Sequence, residues 1–368
     1  MIENGYDVYT ISASGPEVEE VLKEGVKHIP VPFTRKITPL QDVKCLLMLV
    51  RIIREIKPDI IHTHTPKAGL LGMLAGWICR VPVRLHTVAG LPLMESAGIK
   101  RSVLESTEKL TYACAHKVYP NSAGLEKFLV QVLDVNPGKL KVIGKGSSNG
   151  IDTEYFKRTP LLEDQAHAIR NEKKIQSNDL VFSFVGRVVR DKGIVELVEA
   201  FKTLSTRSDE FHIKTENTPR IFLLLVGPFE SDLDPLPEHI RKFIDEDPRV
   251  ILAGFQRDVR PWLMASDIFV FPSYREGFPN VVMQACLLQV PCIVSDINGC
   301  NEIISHGVTG LIVKPKDETS LADAMMLLIN DEPKRKALSA VARDFVFENF
   351  KREVVWEGIR KEYESRKP

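Results

Sequence analysis

The feature that most constrains this chain is an alternation of element types that runs, breaks and runs again. Short β-rich runs, Tyr6–Ile11, Val26–Val31, Asp59–Thr63, Val83–Thr87, Lys117–Asn121 and Leu140–Ile143, are separated by longer helical patterns such as Pro39–Ile56, Lys67–Cys79 and Lys100–Ala115. Apolar strands joined by helices require a parallel sheet with both faces covered. A polar segment with few large apolar side chains, residues 157–178, interrupts the pattern and reads as a linker. Strands then resume at Leu180–Val185, Ile221–Val226, Val250–Leu252, Ile268–Phe271 and Cys292–Ser295. The expected architecture is α/β: one doubly wound Rossmann-like domain over residues 1–160 and a second over 161–345, with a last helical stretch, Arg343–Ser365. In such folds a ligand is expected beyond the carboxyl ends of the strands, here in a cleft that two facing sheets would form.

Bulk properties narrow the function classes. The 368 residues exceed one ordinary core. Formal net charge is zero, which gives nucleic acid no electrostatic handle. The balance is uneven: residues 1–150 carry 19 Lys+Arg against 14 Asp+Glu, leaving 30 against 35 for the rest. A mildly basic first half suits an anionic membrane surface or a pyrophosphate group, and equally a plain solvated surface. The six cysteines form no CxxC pair and read as buried thiols of a reducing compartment, with no disulfide frame or zinc site. No signal peptide is visible, and the uncharged run Ala68–Cys79 is too short to span a bilayer.

Three strand ends carry chemistry. Gly186 leaves a strand, and Arg187 and Lys192 follow within one loop. Arginine can fork two phosphate oxygens and lysine adds a mobile charge, although a solvated basic loop has the same composition. Ser273–Ala285 places Glu276 before Gly277, Phe278, Pro279 and Asn280, which lead into an apolar helical run containing Gln284. Pro279 suits the first helical turn, and backbone N–H groups at a helix start favour negative oxygens beside a carboxylate that can accept hydroxyls. Asn298 and Gly299 form a sharp turn after a third strand, with Glu302 either facing a ligand or capping the next helix. In the first half, Arg84–Pro92 ends a strand carrying His86, and Asp59–Lys67 holds His62 and His64 at strand spacing. Two histidines without an evident third ligand make a weak metal site. Lys67, at a helix start, can meet an acceptor phosphate or water. Pro39–Lys57 sets leucines, valines and isoleucines against Lys44, Arg51, Arg54 and Lys57, so it fits either a sheet-covering helix or a basic amphipathic helix on a membrane.

The Glu276 segment, the Arg187–Lys192 loop, His86 and the Asn149–Asp152 turn together resemble retaining family-4 glycosyltransferases, most closely those that extend lipid-linked sugars in bacterial capsule, exopolysaccharide or glycan assembly. That resemblance implies a GT-B fold and transfer with retention from a nucleotide sugar, UDP-linked by expectation, to a glycan or polyprenyl-pyrophosphate-linked acceptor. No cofactor and no essential metal are implied. Arg187 and Lys192 would bind donor phosphate, and His86 and Glu276 would be catalytic. Gly186, Gly277, Phe278, Pro279, Asn280 and Gln284 would hold the donor sugar or nucleotide. His64 and Lys67 would lie on the acceptor side. Gln284 stands where the family commonly has a second carboxylate on the donor ribose. The resemblance begins in mid-fold at Glu3–Tyr6, so the family's first strand and its glycine loop have no counterpart here. It also implies a cytoplasmic protein that can sit peripherally on the inner face of the membrane, and a final helix that returns to the first domain. A GT-B sugar-nucleotide epimerase and a truncated non-catalytic sugar-nucleotide-binding protein are the alternatives.

Overall fold

A computed structural model describes residues 1–15, 17–34, 38–212, 220–230 and 234–366. The chain forms two compact units, Met1–Ser148 with Val355–Pro368, and Asn149–Val354.

In the first unit the chain runs β1 (Tyr9–Ser12), α1 (Val18–Lys23), β2 (Lys27–Pro30), α2 (Pro39–Ile56), β3 (Ile60–Thr63), α3 (Pro66–Ile78), β4 (Val83–Val88), α4 (Gly98–Cys114), β5 (Lys117–Pro120) and α5 (Ala123–Leu133). All pairings are parallel, and the described strands form two sheets, β1–β2 and β3–β4–β5. Val31, Cys45, Leu49 and Ile53 share an apolar cluster with Ile11 and Ile61, so packing joins elements of both sheets where backbone pairing does not. The expected strand Leu140–Ile143 is a single bridge from Leu140 to Val118. Positive φ at Gly144 and Gly146, with a turn closed by the Gly146 N–H on the Ile143 carbonyl, ends it.

The second unit runs α6 (Pro160–Glu172), β6 (Leu180–Val185), α7 (Ile194–His212), β7 (Ile221–Val226), α8 (Glu238–Glu246), β8 (Val250–Gly254), α9 (Arg260–Met264), β9 (Ile268–Phe271), α10 (Asn280–Leu287), β10 (Cys292–Ser295), α11 (Cys300–Ile303), β11 (Leu311–Val313), α12 (Glu318–Asn330) and α13 (Glu332–Asn349). Its parallel sheet has the order β11-β10-β9-β6-β7-β8. Chain travel reverses between β6 and β9, which makes that gap the topological switch point. β6, β7, β9 and β10 are buried along their whole lengths, as their unbroken apolar runs require.

Two expectations are corrected. Residues 157–178 are no linker: Thr159 caps α6 through its side chain, and Leu162 and Ala166 are buried. The unit division instead lies at Ser148/Asn149, ahead of the expected boundary at Pro160. The Arg343–Ser365 stretch is also broken, into the end of α13 and α14 (Arg352–Glu364). Phe350 is fully buried against Phe278, and the Ile151 backbone pairs with Phe350 and Arg352, which takes those residues out of the helical ladder. From Val355 onward α14 belongs to the first unit, where Val355 is buried with Leu85 and Tyr119.

Candidate active site

The second unit gathers its charged loops at the switch point. Because β6 and β9 are neighbours, the loops that follow them lie side by side. The turn Arg190–Lys192 closes on Gly193, whose φ is 72° and whose Cα lies so near the end of β9 that a Cβ would fall 2.1 Å from the Pro272 carbonyl oxygen. Only glycine satisfies both conditions. That contact sets Lys192 against Glu276: its ammonium bonds Glu276 Oε1, to which Ser273 Oγ also donates at 3.0 Å. Both side chains are largely shielded from solvent. The Asn298 side-chain amide donates to the Glu276 and Gly277 carbonyls at 3.1 and 2.9 Å, so the loop after β10 fixes the loop after β9.

Arg187 is paired as well. Its Nη1 donates to Glu230 Oε2 at 2.9 Å, and its Nη2 lies 3.9 Å from Asp191 Oδ2. Arg275 Nη2 reaches the same Asp191 oxygen at 3.3 Å, while Asp191 Oδ1 is buried without a hydrogen-bond partner. The Asp191 N–H donates to Asp234 at 2.6 Å, and Tyr274 donates to Glu196 at 2.7 Å. The structure thus brings Arg187, Lys192 and Glu276 into one charged cluster with Asn298, and adds Glu230, Asp234 and Glu196, which sequence reasoning missed. Glu230 had one usable signal: Gly227-Pro228-Phe229-Glu230 leaves the carboxyl end of β7, the strand beside β6.

The remaining donor-side residues divide. Gly186 ends β6, its N–H bonded to the Val226 carbonyl. Pro279 caps α10 from outside, one position before the expected first turn. Asn280 and Gln284 follow at i, i+4 on one helix face, and the Gln284 amide has no hydrogen bond among the described residues. Phe278 does not present its ring as a ligand surface: it is buried, 5.1 Å from Phe350 between ring centroids.

The first unit holds a separate constellation around His86, near the end of β4. The imidazole is buried, its Nδ1 is 2.7 Å from Thr63 Oγ1, and the Tyr112 ring lies 5.9 Å away. Gly69 of α3 packs on the ring so closely that a Cβ would fall 2.5 Å from Cε1. Burial, then the neighbouring His64, pushes the His86 pKa down to about 4, so the ring is neutral at physiological pH. Burial also lowers His64. His62 is tied up structurally, between Tyr363 Oη and Thr87 Oγ1, each at 2.7 Å. His64, His86, Glu108 and the Thr87–Leu91 segment line one small cavity. Lys67 is engaged elsewhere: its ammonium holds Asp42 at 2.7 Å and Thr34 at 2.8 Å, stitching the start of α2 to α3. Among the described residues no group of three His, Cys, Asp or Glu side chains is placed to hold a metal ion. The cysteines are free, all buried except the half-buried Cys79.

Residues 165–345 match the model of glycosyl transferases group 1, and residues 1–155 match that of glycosyltransferase family 4. The chain is 32% identical over 360 residues to the Staphylococcus aureus capsular polysaccharide biosynthesis glycosyltransferase CapM, covering 98% of this chain and 90% of that protein. It is 29% identical to the Escherichia coli UDP-Gal:α-D-GlcNAc-diphosphoundecaprenol α-1,3-galactosyltransferase, over 89% of this chain and 81% of that one. Among solved structures, Anabaena HepE in complex with UDP and glucose superposes with a TM-score of 0.80 at 20% identity, covering 97% of this chain and 91% of that one.

Proposed function

The chain belongs to the family-4 glycosyltransferases and has their GT-B fold, and from that premise we propose that it moves a hexose or N-acetylhexosamine from a UDP-sugar to a lipid-linked or growing glycan acceptor with retention. The observation that carries the reading is the meeting of Arg187, Lys192 and Glu276 at the switch point of the second unit. A leaving diphosphate needs positive charge where its own negative charge develops, and two cations in a partly desolvated loop cluster supply it. Glu276 accepts hydroxyls of the donor sugar through charge-assisted hydrogen bonds. Gln284 and Asn280, on one face of α10, take the ribose and neighbouring donor groups, with an amide in place of a carboxylate. His86, neutral at working pH, offers a hydrogen bond to the sugar and adds no charge. No metal or cofactor enters this scheme.

Relatives that act on UDP-linked and diphosphoundecaprenol-linked sugars support the donor and acceptor classes, and they suggest capsule or exopolysaccharide assembly in a bacterial cell. Among the described residues no helix is long and apolar enough to cross a membrane. The outer face of α2 supports contact with the cytoplasmic membrane surface. Leu40, Val43 and Leu47 are 90%, 57% and 65% exposed beside the exposed Lys44, Arg51 and Arg54, while Cys45, Leu49 and Ile53 face the core.

Calorimetry with UDP tests the donor site. Arg187→Ala and Lys192→Ala should each weaken binding by roughly 1.5–3 kcal/mol, the range for a hydrogen bond to a charged group. Glu276→Gln should spare UDP binding and reduce sugar transfer. Full UDP affinity in both cation variants would remove the assignment.

A further inference from the structure

Ser273 lies just beyond β9, between Pro272 and the loop that carries Glu276, and it is completely buried. Its backbone is fixed on both sides: Gly193 packs on Pro272, and the Tyr274 N–H donates to the Asp191 carbonyl at 2.9 Å. The Ser273 hydroxyl has three acceptors in reach, Glu276 Oε1 at 3.0 Å, the Arg275 carbonyl at 3.1 Å and the Asp191 carbonyl at 3.4 Å. A hydroxyl has one proton to donate. The carboxylate is the nearest of the three and the only charged one, and a charge-assisted hydrogen bond is the stronger kind, so the proton goes to Glu276. A serine that had only to satisfy itself could use the Arg275 carbonyl and would need no carboxylate.

Acceptor capacity then separates the two oxygens of Glu276. A carboxylate accepts at about four sites, two on each oxygen. The Lys192 ammonium and the Ser273 hydroxyl both go to Oε1 and fill it, while Oε2 has no hydrogen bond among the described residues. We propose that Ser273 is a positioning residue for sugar transfer: together with Lys192 it saturates Oε1 and so presents Oε2 to a hydroxyl of the donor sugar. The proposal rests on the reading of Glu276 as the group that accepts those hydroxyls. The part played by Ser273 grows once the donor is bound. Lys192 then shares its ammonium with the diphosphate, whereas a fully buried hydroxyl is closed to phosphate and stays on Glu276. Without that hydroxyl the carboxylate has one anchor, a point charge on a flexible stem, which holds its rotation poorly.

The test compares Ser273→Ala with the parent protein in UDP calorimetry and in transfer from a panel of UDP-hexoses and UDP-N-acetylhexosamines to diphosphoundecaprenol-linked GlcNAc, and repeats the substitution in a Glu276→Gln background. Should Ser273→Ala not melt cooperatively, Ser273→Cys, a weak donor of similar size, carries the same comparison. Ser273→Ala should bind UDP within about twofold of the parent, because Arg187 and Lys192 remain, while donor kcat/KM falls about tenfold, the loss expected for one hydrogen bond to a charged group. In the Glu276→Gln background the same substitution should change kcat/KM less than about threefold, since the carboxylate it positions is gone. Parental kcat/KM in Ser273→Ala, an equal loss in both backgrounds, or a loss of UDP affinity as large as the loss of kcat/KM overturns the proposal. A parent that binds UDP but transfers from no donor of the panel would sink the transferase reading instead. Calorimetry would then still judge Ser273: the affinity for UDP-sugar relative to UDP should fall about threefold or more in Ser273→Ala, and an unchanged ratio overturns the proposal.

Discussion

Glu230→Gln should make the donor site bind more tightly, an uncommon direction for a substitution at a binding site. The structure shows why. Arg187 is held at 2.9 Å by Glu230, and a diphosphate that binds the guanidinium must either displace that carboxylate or sit beside its negative charge. The pair is partly open to solvent, with side-chain exposures of 39% and 29%, so its strength belongs to the screened range of about 0.2–1 kcal/mol. Removing the competing charge while keeping the side chain's shape should return that amount, an increase in UDP affinity of up to about fivefold at 1.4 kcal/mol per tenfold. Isothermal calorimetry reads it directly. The gain should shrink as salt rises toward 0.15 M, where screening sets in over about 8 Å. Charge repulsion at long range would also favour the neutral variant, so a double-mutant cycle isolates the contact: in an Arg187→Ala background the Glu230 substitution should change little. UDP affinity that is unchanged or weaker in Glu230→Gln would refute the reasoning.

Three further outcomes follow from the geometry. Gly69→Ala drives a methyl into the His86 ring, 2.5 Å from Cε1, and should cost roughly 1–3 kcal/mol of overpacking, read by denaturant unfolding, with transfer falling as the ring shifts. Because burial holds the His86 pKa near 4, the imidazole keeps its uncharged form above that value, so kcat/KM should show no His86-dependent inflection between about pH 5 and 8; an inflection near 6.5 that disappears in His86→Asn would contradict the buried environment. Replacing Leu40 and Leu47 with serine should weaken sedimentation with phosphatidylglycerol vesicles and leave the melting temperature nearly unchanged, since both side chains are already exposed; equal vesicle binding would assign the outer face of α2 to solvent.

The fold was legible because its signals are local. An unbroken apolar run such as Ile221–Val226 has no other stable place than a strand buried on both faces. The errors arose where long-range contacts override local pattern. Residues 160–172 look polar because α6 buries only a narrow strip, Leu162 and Ala166, and exposes the rest. The break at Phe350 depends on Ile151, some two hundred residues earlier in sequence, whose backbone pairs there. β11 escaped notice because three residues, Leu311–Val313, give too short a period to register.

The site was legible to the extent that its residues sit at strand ends. Arg187, Lys192 and Glu276 were expected together, and they meet, because a doubly wound sheet sends the loops after neighbouring strands to one place. What sequence could not supply is which opposite charge each of them faces. Spacing suggested open cations waiting for phosphate, and the structure gives Lys192 to Glu276 and Arg187 to Glu230. That pairing changes the chemistry expected of Glu276. Its carboxylate must serve the ammonium of Lys192 and, in the proposed reaction, a sugar hydroxyl. A carboxylate has lone pairs enough for both, one oxygen toward each partner. Lys192 in turn has three donors, so it can keep Glu276 while turning another N–H toward a donor phosphate. Arg187 is less free: Glu230 holds its Nη1, so a fork onto two phosphate oxygens either uses another edge of the guanidinium beside that carboxylate or displaces it. Of the two cations, then, Lys192 fixes the geometry of the loop that carries Glu276, and Arg187 is the one whose affinity for a diphosphate is set against a neighbouring carboxylate.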